Sequence, residues 1–182
     1  TRSPTVTGVQ TCALPISRYD DLLGIYTKKA ELLIDFDERR QVLYEIASLY
    51  EKEMGQPARA IETYETVLQE DPTDVRALQA LDGLYFRQQE WGQYAEVLRR
   101  LIELDVSEQE LVDLKYRLGA TLEEHLSDPG AALSNYREVL FIDQGHEGTR
   151  AALEKMLTNE SLAAEAARIL DPIYEARVIG TG

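Results

Sequence analysis

The sequence predicts an all-α chain of antiparallel helical hairpins, and three observations carry that prediction. From Tyr19 onward apolar residues recur three and four positions apart, as in Leu43, Ile46, Ala47 and Tyr50 and again in Ile61, Tyr64, Val67 and Leu68, which is the spacing of one helix face. Turn-forming residues break this pattern at Met54-Gly55-Gln56-Pro57, Asp71-Pro72-Thr73-Asp74, Glu90-Trp91-Gly92 and Ser127-Asp128-Pro129. The chain also matches itself after a shift of 72 residues: Tyr44 falls on Tyr116, Glu51 on Glu123, Pro57 on Pro129, Ala60 on Ala132, Tyr64 on Tyr136 and Asp71 on Asp143. Half of that shift, 36 residues, is the length of one helix-turn-helix unit, and no stretch alternates with a period of two for long enough to make a strand.

Taken in order, the periodic segments predict helices at 19–34, 38–54, 57–70, 74–88, 91–104, 108–126, 129–142, 146–157 and 162–177. Pro57 and Pro129 fit a first helical turn, where a missing N–H costs nothing, and Asp128 can cap the free N–H groups there. Ser107 followed by Glu110 has the spacing of a capping box. Asp35, Asp37 and Glu38 read as helix-start residues, because the loop lacks the alternating oxygens, central Gly and terminal Glu of a calcium hand. Pro172 would kink the last helix or mark its early turn.

Composition narrows the function classes. A hydrophobic share of 44% with 29% charged residues suits a folded globular domain, and no stretch reaches the ~20 apolar residues that cross a bilayer. The 33 Asp and Glu against 19 Lys and Arg give a net charge of -14, which repels nucleic acid phosphates and anionic lipid surfaces. Neither nucleic acid binding nor membrane insertion is expected. One cysteine, Cys12, permits no internal disulfide and no thiolate cluster.

Residues 1–16 differ from everything after them: one charge at Arg2, no helical period, and many β-branched, Pro and Gly residues. The run 6–16 resembles the translated read-through of a sequencing-library adapter. Residues 1–17 are therefore expected to be a non-native or disordered leader, 18–177 the helical repeat domain, and 178–182 a disordered tail. Within the domain the units are 18–36 as a half unit, then 37–72, 73–106, 107–144 and a degenerate 145–177, so the chain reads as a fragment of a longer array.

The unit resembles the tetratricopeptide repeat family, whose pattern places a Leu, a small residue and an aromatic on the first helix, Ala and an aromatic on the second, and Pro after it. Here those residues are Leu43 or Ile46, Ala47 and Tyr50, then Ala60 and Tyr64, then Pro72. Leu118, Gly119, Ala132 and Tyr136 repeat the pattern, whereas the intervening unit has Asp82 where a small residue is usual and Tyr94 where Ala is usual. The resemblance covers residues 19–143, and the turns of alternate units resemble those of large bacterial repeat proteins. It implies a right-handed α-solenoid, a superhelix whose first helices line a concave groove.

Carried over hairpin by hairpin, the resemblance implies a peptide-binding groove of Gln41, Tyr44, Glu45, Ser48 and Lys52, then Arg76, Gln79, Gly83, Phe86 and Arg87, then Asp113, Tyr116, Arg117, Ala120 and Glu124. These positions are mixed in sign and hold no Asn, which family members that clamp a terminal carboxylate use beside Lys. Trp91 and Tyr19, at turns, are expected either to pack against neighbouring units or to contact a ligand, and Tyr50, Tyr64, Tyr85 and Tyr136 to pack helix on helix. His125 and His146 have no second His or Cys at ligand spacing, and no phosphate loop, nucleophile elbow or zinc-protease helix occurs. The expectation is a protein-protein interaction scaffold with a protein or peptide partner, no catalytic residues, no metal and no cofactor. The alternative is a structural or regulatory spacer arm of a larger enzyme or secretion machine. A cytoplasmic location is expected, with the periplasm left open.

Overall fold

The structure, a computed structural model, describes residues 16–180. Its elements are α1 (Ile16–Leu32), α2 (Phe36–Ser48) continuing into a π-helical turn (Leu49–Glu53), α3 (Pro57–Glu70), α4 (Val75–Gln88), α5 (Trp91–Ile102), α6 (Glu108–Glu124), α7 (Pro129–Ile142), α8 (Glu147–Met156) and α9 (Ala163–Gly180), with no strand among the described residues. The all-α hairpin architecture is that expected from the sequence. The chain divides into two compact units, Thr1–Glu70 and Asp71–Gly182, a division two residues from the expected repeat boundary.

In the first unit α2 packs between α1 and α3. Ala30, Val42 and Ile46 form its buried core, with Leu23, Tyr26, Leu33, Leu43 and Tyr50 packed around them. These are the three- and four-spaced residues of α1 and α2, so burial follows the helical period. Asp35 caps α2 by accepting the Glu38 N–H at 2.9 Å, the role the sequence assigns it. Arg39 of α2 pairs with Glu70 at the end of α3, and the Tyr19 hydroxyl donates to Glu53 at 2.7 Å, tying α1 to the π turn.

In the second unit each helix packs on its successor, α6 also touches α8, and α7 touches α9. Two helix starts are capped as the sequence indicates, Ser107 accepting the Glu110 N–H at 3.3 Å and Asp128 the Ala131 N–H at 3.0 Å, with Pro129 in the first turn of α7; Asp74, which the sequence places inside α4, caps it by accepting the Ala77 N–H at 2.7 Å. His146 caps α8 by accepting the Thr149 N–H at Nδ1, 3.1 Å away. Ala60, Ala95 and Ala132 are fully buried on α3, α5 and α7, so the small residue of the middle hairpin is Ala95 and not position 94.

The 72-residue period reaches the individual hydrogen bond. At the end of α2, Met54 N–H donates to Leu49 O at 3.0 Å and Gln56 N–H to Tyr50 O at 2.7 Å; at the end of α6, Leu126 N–H donates to Thr121 O at 3.1 Å and Asp128 N–H to Leu122 O at 2.9 Å. Both first helices thus end by widening from four-residue to five- and six-residue bonds. Both then need one left-handed residue before the proline, Gly55 at φ 61° and Ser127 at φ 53°. Glycine takes that conformation freely, whereas serine carries a Cβ that crowds the following carbonyl.

Residues 178–180, expected to be a disordered tail, are the end of α9 instead, and Pro172 lies inside that helix. Ile16 and Ser17, counted with the leader, begin α1. The rest of the expected leader, residues 1–15, and residues 181–182 lie outside the described residues.

The left-handed turn generates a stability prediction. Ser127→Gly should raise the urea unfolding midpoint, with a gain of about 0.5–1 kcal/mol, while Gly55→Ala should lower it by about 1 kcal/mol. A Ser127→Gly midpoint equal to or below that of the parent would contradict the strain assigned to this turn.

Candidate functional site

The first-helix positions implied as a groove do not behave alike. Tyr44 is only 3% exposed, and its ring packs against Tyr64 at a centroid separation of 6.3 Å, so it is a core aromatic and not a ligand-facing one. Tyr116, its counterpart one period later, packs against Tyr136 at the same 6.3 Å and against His146 at 4.8 Å. A Cβ on Gly148 would lie 2.8 Å from the Tyr116 hydroxyl, so α8 closes over that ring at a residue without a side chain. An aromatic at this register thus fills the seam between helices.

Other predicted residues stay at the surface. In the first unit Gln41 and Glu45 line a cleft of about 620 Å³ with Tyr26, Lys29, Glu38 and Val42, between α1 and α2. Lys52 is exposed and Ser48 half-buried. In the second unit Arg76, Gln79, Phe86, Arg87, Asp113 and Glu124 are exposed, whereas Gly83 and Ala120 are half-buried. The Arg87 guanidinium folds back along α4, where its Nη1 would meet a Cβ at Gly83 at 3.3 Å.

Arg117 is held in a network. Its Nε and Nη2 donate to the Tyr94 hydroxyl oxygen at 3.0 and 2.7 Å, Nη2 also pairs with Asp82, and Nη1 reaches Asp113 at 3.3 Å. The two residues that the sequence set apart from the repeat pattern, Asp82 on α4 and Tyr94 on α5, are therefore both partners of one arginine on α6. Burial pushes the Tyr94 phenol up from its ordinary value, further than the Arg117 hydrogen bond pulls it down. Burial alone would lower the arginine, but the bond to Tyr94 and the charge of Asp82 together hold it well above its ordinary range. The Asp82 carboxyl is raised because its burial outweighs the opposing pull of Arg117.

Beside this network lies an aromatic cluster that the sequence did not bring together. Phe86, 55% exposed, meets Trp91 edge-on at 5.7 Å and Tyr94 at 5.5 Å, and Trp91 stacks flat on His125 at 3.8 Å with 4° between the rings. The cluster joins the end of α4, the start of α5 and the end of α6. Nothing in the sequence joins Trp91 to His125, since they are 34 positions apart and no local pattern links them. Elsewhere, an apolar hollow of about 440 Å³ between α7 and α9 contains none of the predicted residues.

No three His, Cys, Asp or Glu side chains converge as metal ligands among the described residues, and none of their helices is long and apolar enough to cross a membrane.

The raised Asp82 carboxyl has a definite sign. A group whose folded value lies above its unfolded value contributes stability that is full below the unfolded value, about 3.9, and is lost as pH rises through the folded one. The unfolding midpoint of the parent relative to Asp82→Asn should therefore fall as pH rises from below the unfolded value through the raised folded one. A difference that grows across this interval would mean that Arg117 keeps the carboxylate charged against its burial.

Comparison with known proteins agrees with this architecture. The tetratricopeptide repeat family matches residues 41–74. No curated protein sequence matches the chain. The solved structure described as the crystal structure of MamA is 19% identical, with a TM-score of 0.55 over 91% of this chain and 92% of that one. YrrB, described as a TPR protein with an unusual peptide-binding site, is 20% identical, with a TM-score of 0.53 over 82% of this chain and 73% of that one. The chain carries a tetratricopeptide repeat at residues 41–74 and has the all-helical hairpin fold of the tetratricopeptide repeat family.

Proposed function

We propose that this chain is a protein-interaction scaffold that receives a peptide or protein segment on the exposed faces of its first helices and carries no catalysis of its own. The observation that carries this reading is the sorting of first-helix residues: Tyr44, Tyr116 and Arg117 are absorbed into packing, while Gln79, Phe86, Arg87 and Asp113 stay exposed on α4 and α6 of one unit. Helices held by their neighbours offer side chains whose positions are set before a ligand arrives, which lowers the entropic cost of binding. Peptide recognition by helical surfaces of this kind works through side-chain pockets and charge matching. The peptide-binding site named for YrrB supports the same kind of partner here. Gln41 and Glu45 in their cleft offer a further contact surface of the same class. A cytoplasmic setting belongs to the same proposal.

The test is quantitative affinity capture with the whole chain against a variant carrying Gln79→Ala, Phe86→Ala and Asp113→Ala. The expected result is a saturable partner whose retention drops by more than tenfold in the variant, with helical content unchanged by circular dichroism. Equal retention by the folded variant would remove α4 and α6 as the binding surface, and the absence of any saturable partner would favour a spacer role.

A further inference from the structure

We propose that the aromatic cluster of Phe86, Trp91 and His125 is an anchor for a cationic side chain, arginine above all, presented by a basic peptide; this deepens the protein-binding reading above and rests on it.

The cluster is built before any ligand arrives. Trp91 is fixed on one side by the flat His125 stack at 3.8 Å and meets the rings of Phe86 and Tyr94 edge-on at 5.7 and 6.1 Å. Phe86 nevertheless leaves 55% of its surface to solvent, although burying an aromatic ring of its size is ordinarily favourable. A guanidinium or ammonium group finds an attractive site over such a ring, and a planar guanidinium can also stack on it.

Charge selects the cation over a neutral or acidic partner. The chain as a whole carries -14, so its field draws in positive segments and repels negative ones. Near the cluster, Glu90 directly precedes Trp91 and Glu124 directly precedes His125; both are exposed, and neither makes an ion pair with a described residue. Of the neighbouring cations, Arg117 is paired with Asp82 and Asp113, and the Arg87 guanidinium lies a turn back along α4 at Gly83. The cluster around the exposed Phe86 ring is thus flanked in sequence by unpaired carboxylates on a chain of net charge -14, which complements a basic peptide.

Trp91 is the sole tryptophan of the chain, so its emission reports on this site without a label. The probe is an acetylated and amidated alanine-based peptide carrying arginines, titrated into the full chain beside the same peptide with citrulline, leucine or glutamate at those positions. The expected result is a saturable change in Trp91 emission with the arginine peptide. Affinity should fall about tenfold for citrulline, in high salt, for Phe86→Ala, and for the Glu90→Gln, Glu124→Gln pair. The two Glu changes are at exposed positions and leave folding intact, so they test the site even if Phe86→Ala disturbs the cluster. Equal binding of the citrulline or leucine peptide, indifference to the Glu changes, or no saturable response would overturn the proposal. A captured protein partner that depends on Gln79 and Asp113 yet is not displaced by the arginine peptide would leave the scaffold reading standing and remove the arginine anchor alone.

Discussion

Everything on the α6 and α7 hairpin depends on how closely an aromatic ring of the second helix can approach the first. A Cβ at Gly119 would lie 2.6 and 2.9 Å from ring carbons of Tyr136, closer than real side chains come, so the glycine is what lets the two helices meet. The ring cannot retreat easily, because its hydroxyl donates at 2.9 Å to Glu123, one turn beyond Gly119 on the same helix. Burial and that carboxylate together drive the Tyr136 phenol far above its ordinary value, which favours the protonated, donating hydroxyl. One period earlier the small position is Ala47, fully buried, with Tyr64 buried on the partner helix. The same register thus holds a small residue and a buried aromatic in both hairpins.

Once the hairpins are closed in this way, their seams decide what is left for function. Aromatics at the register of Tyr44 and Tyr116 are drawn into the seams, where burying a ring is favourable. The middle hairpin adds a charged contact to its packing, joining Asp82, Tyr94 and Arg117 across α4, α5 and α6. Such a pair contributes little net stability after desolvation, so its main effect is to fix geometry. Fixing Arg117 takes it out of the exposed set and leaves Phe86 beside the Trp91 and His125 stack as the exposed ring. Binding chemistry is thus a residue of packing decisions made elsewhere in the chain.

The sequence made much of this legible and some of it not. Helix positions followed from apolar spacing, and caps at Asp35, Ser107 and Asp128 followed from residue type, because both depend on neighbours within four positions. The 72-residue self-match was informative because equivalent residues make equivalent bonds, down to Gln56 and Asp128. Solvent-facing positions were harder. Tyr44 was assigned to the groove by register alone, yet a ring has enough reach to turn into the seam against Tyr64. Asp82 and Tyr94 stood out as departures, but their shared partner is an arginine 35 and 23 residues away, which no local pattern specifies. The stack of Trp91 on His125 was invisible for the same reason.

The most direct test of this account is a double-mutant cycle between Gly119 and Tyr136, measured by urea unfolding of Gly119→Ala, Tyr136→Leu and the pair. If helix approach is set by this contact, Gly119→Ala costs about 1–2 kcal/mol beside the native tyrosine and close to nothing beside leucine, a coupling that additive sites do not show. Costs that simply add would mean that Tyr136 yields to a Cβ without resistance, and the close contact would no longer explain how these hairpins are held.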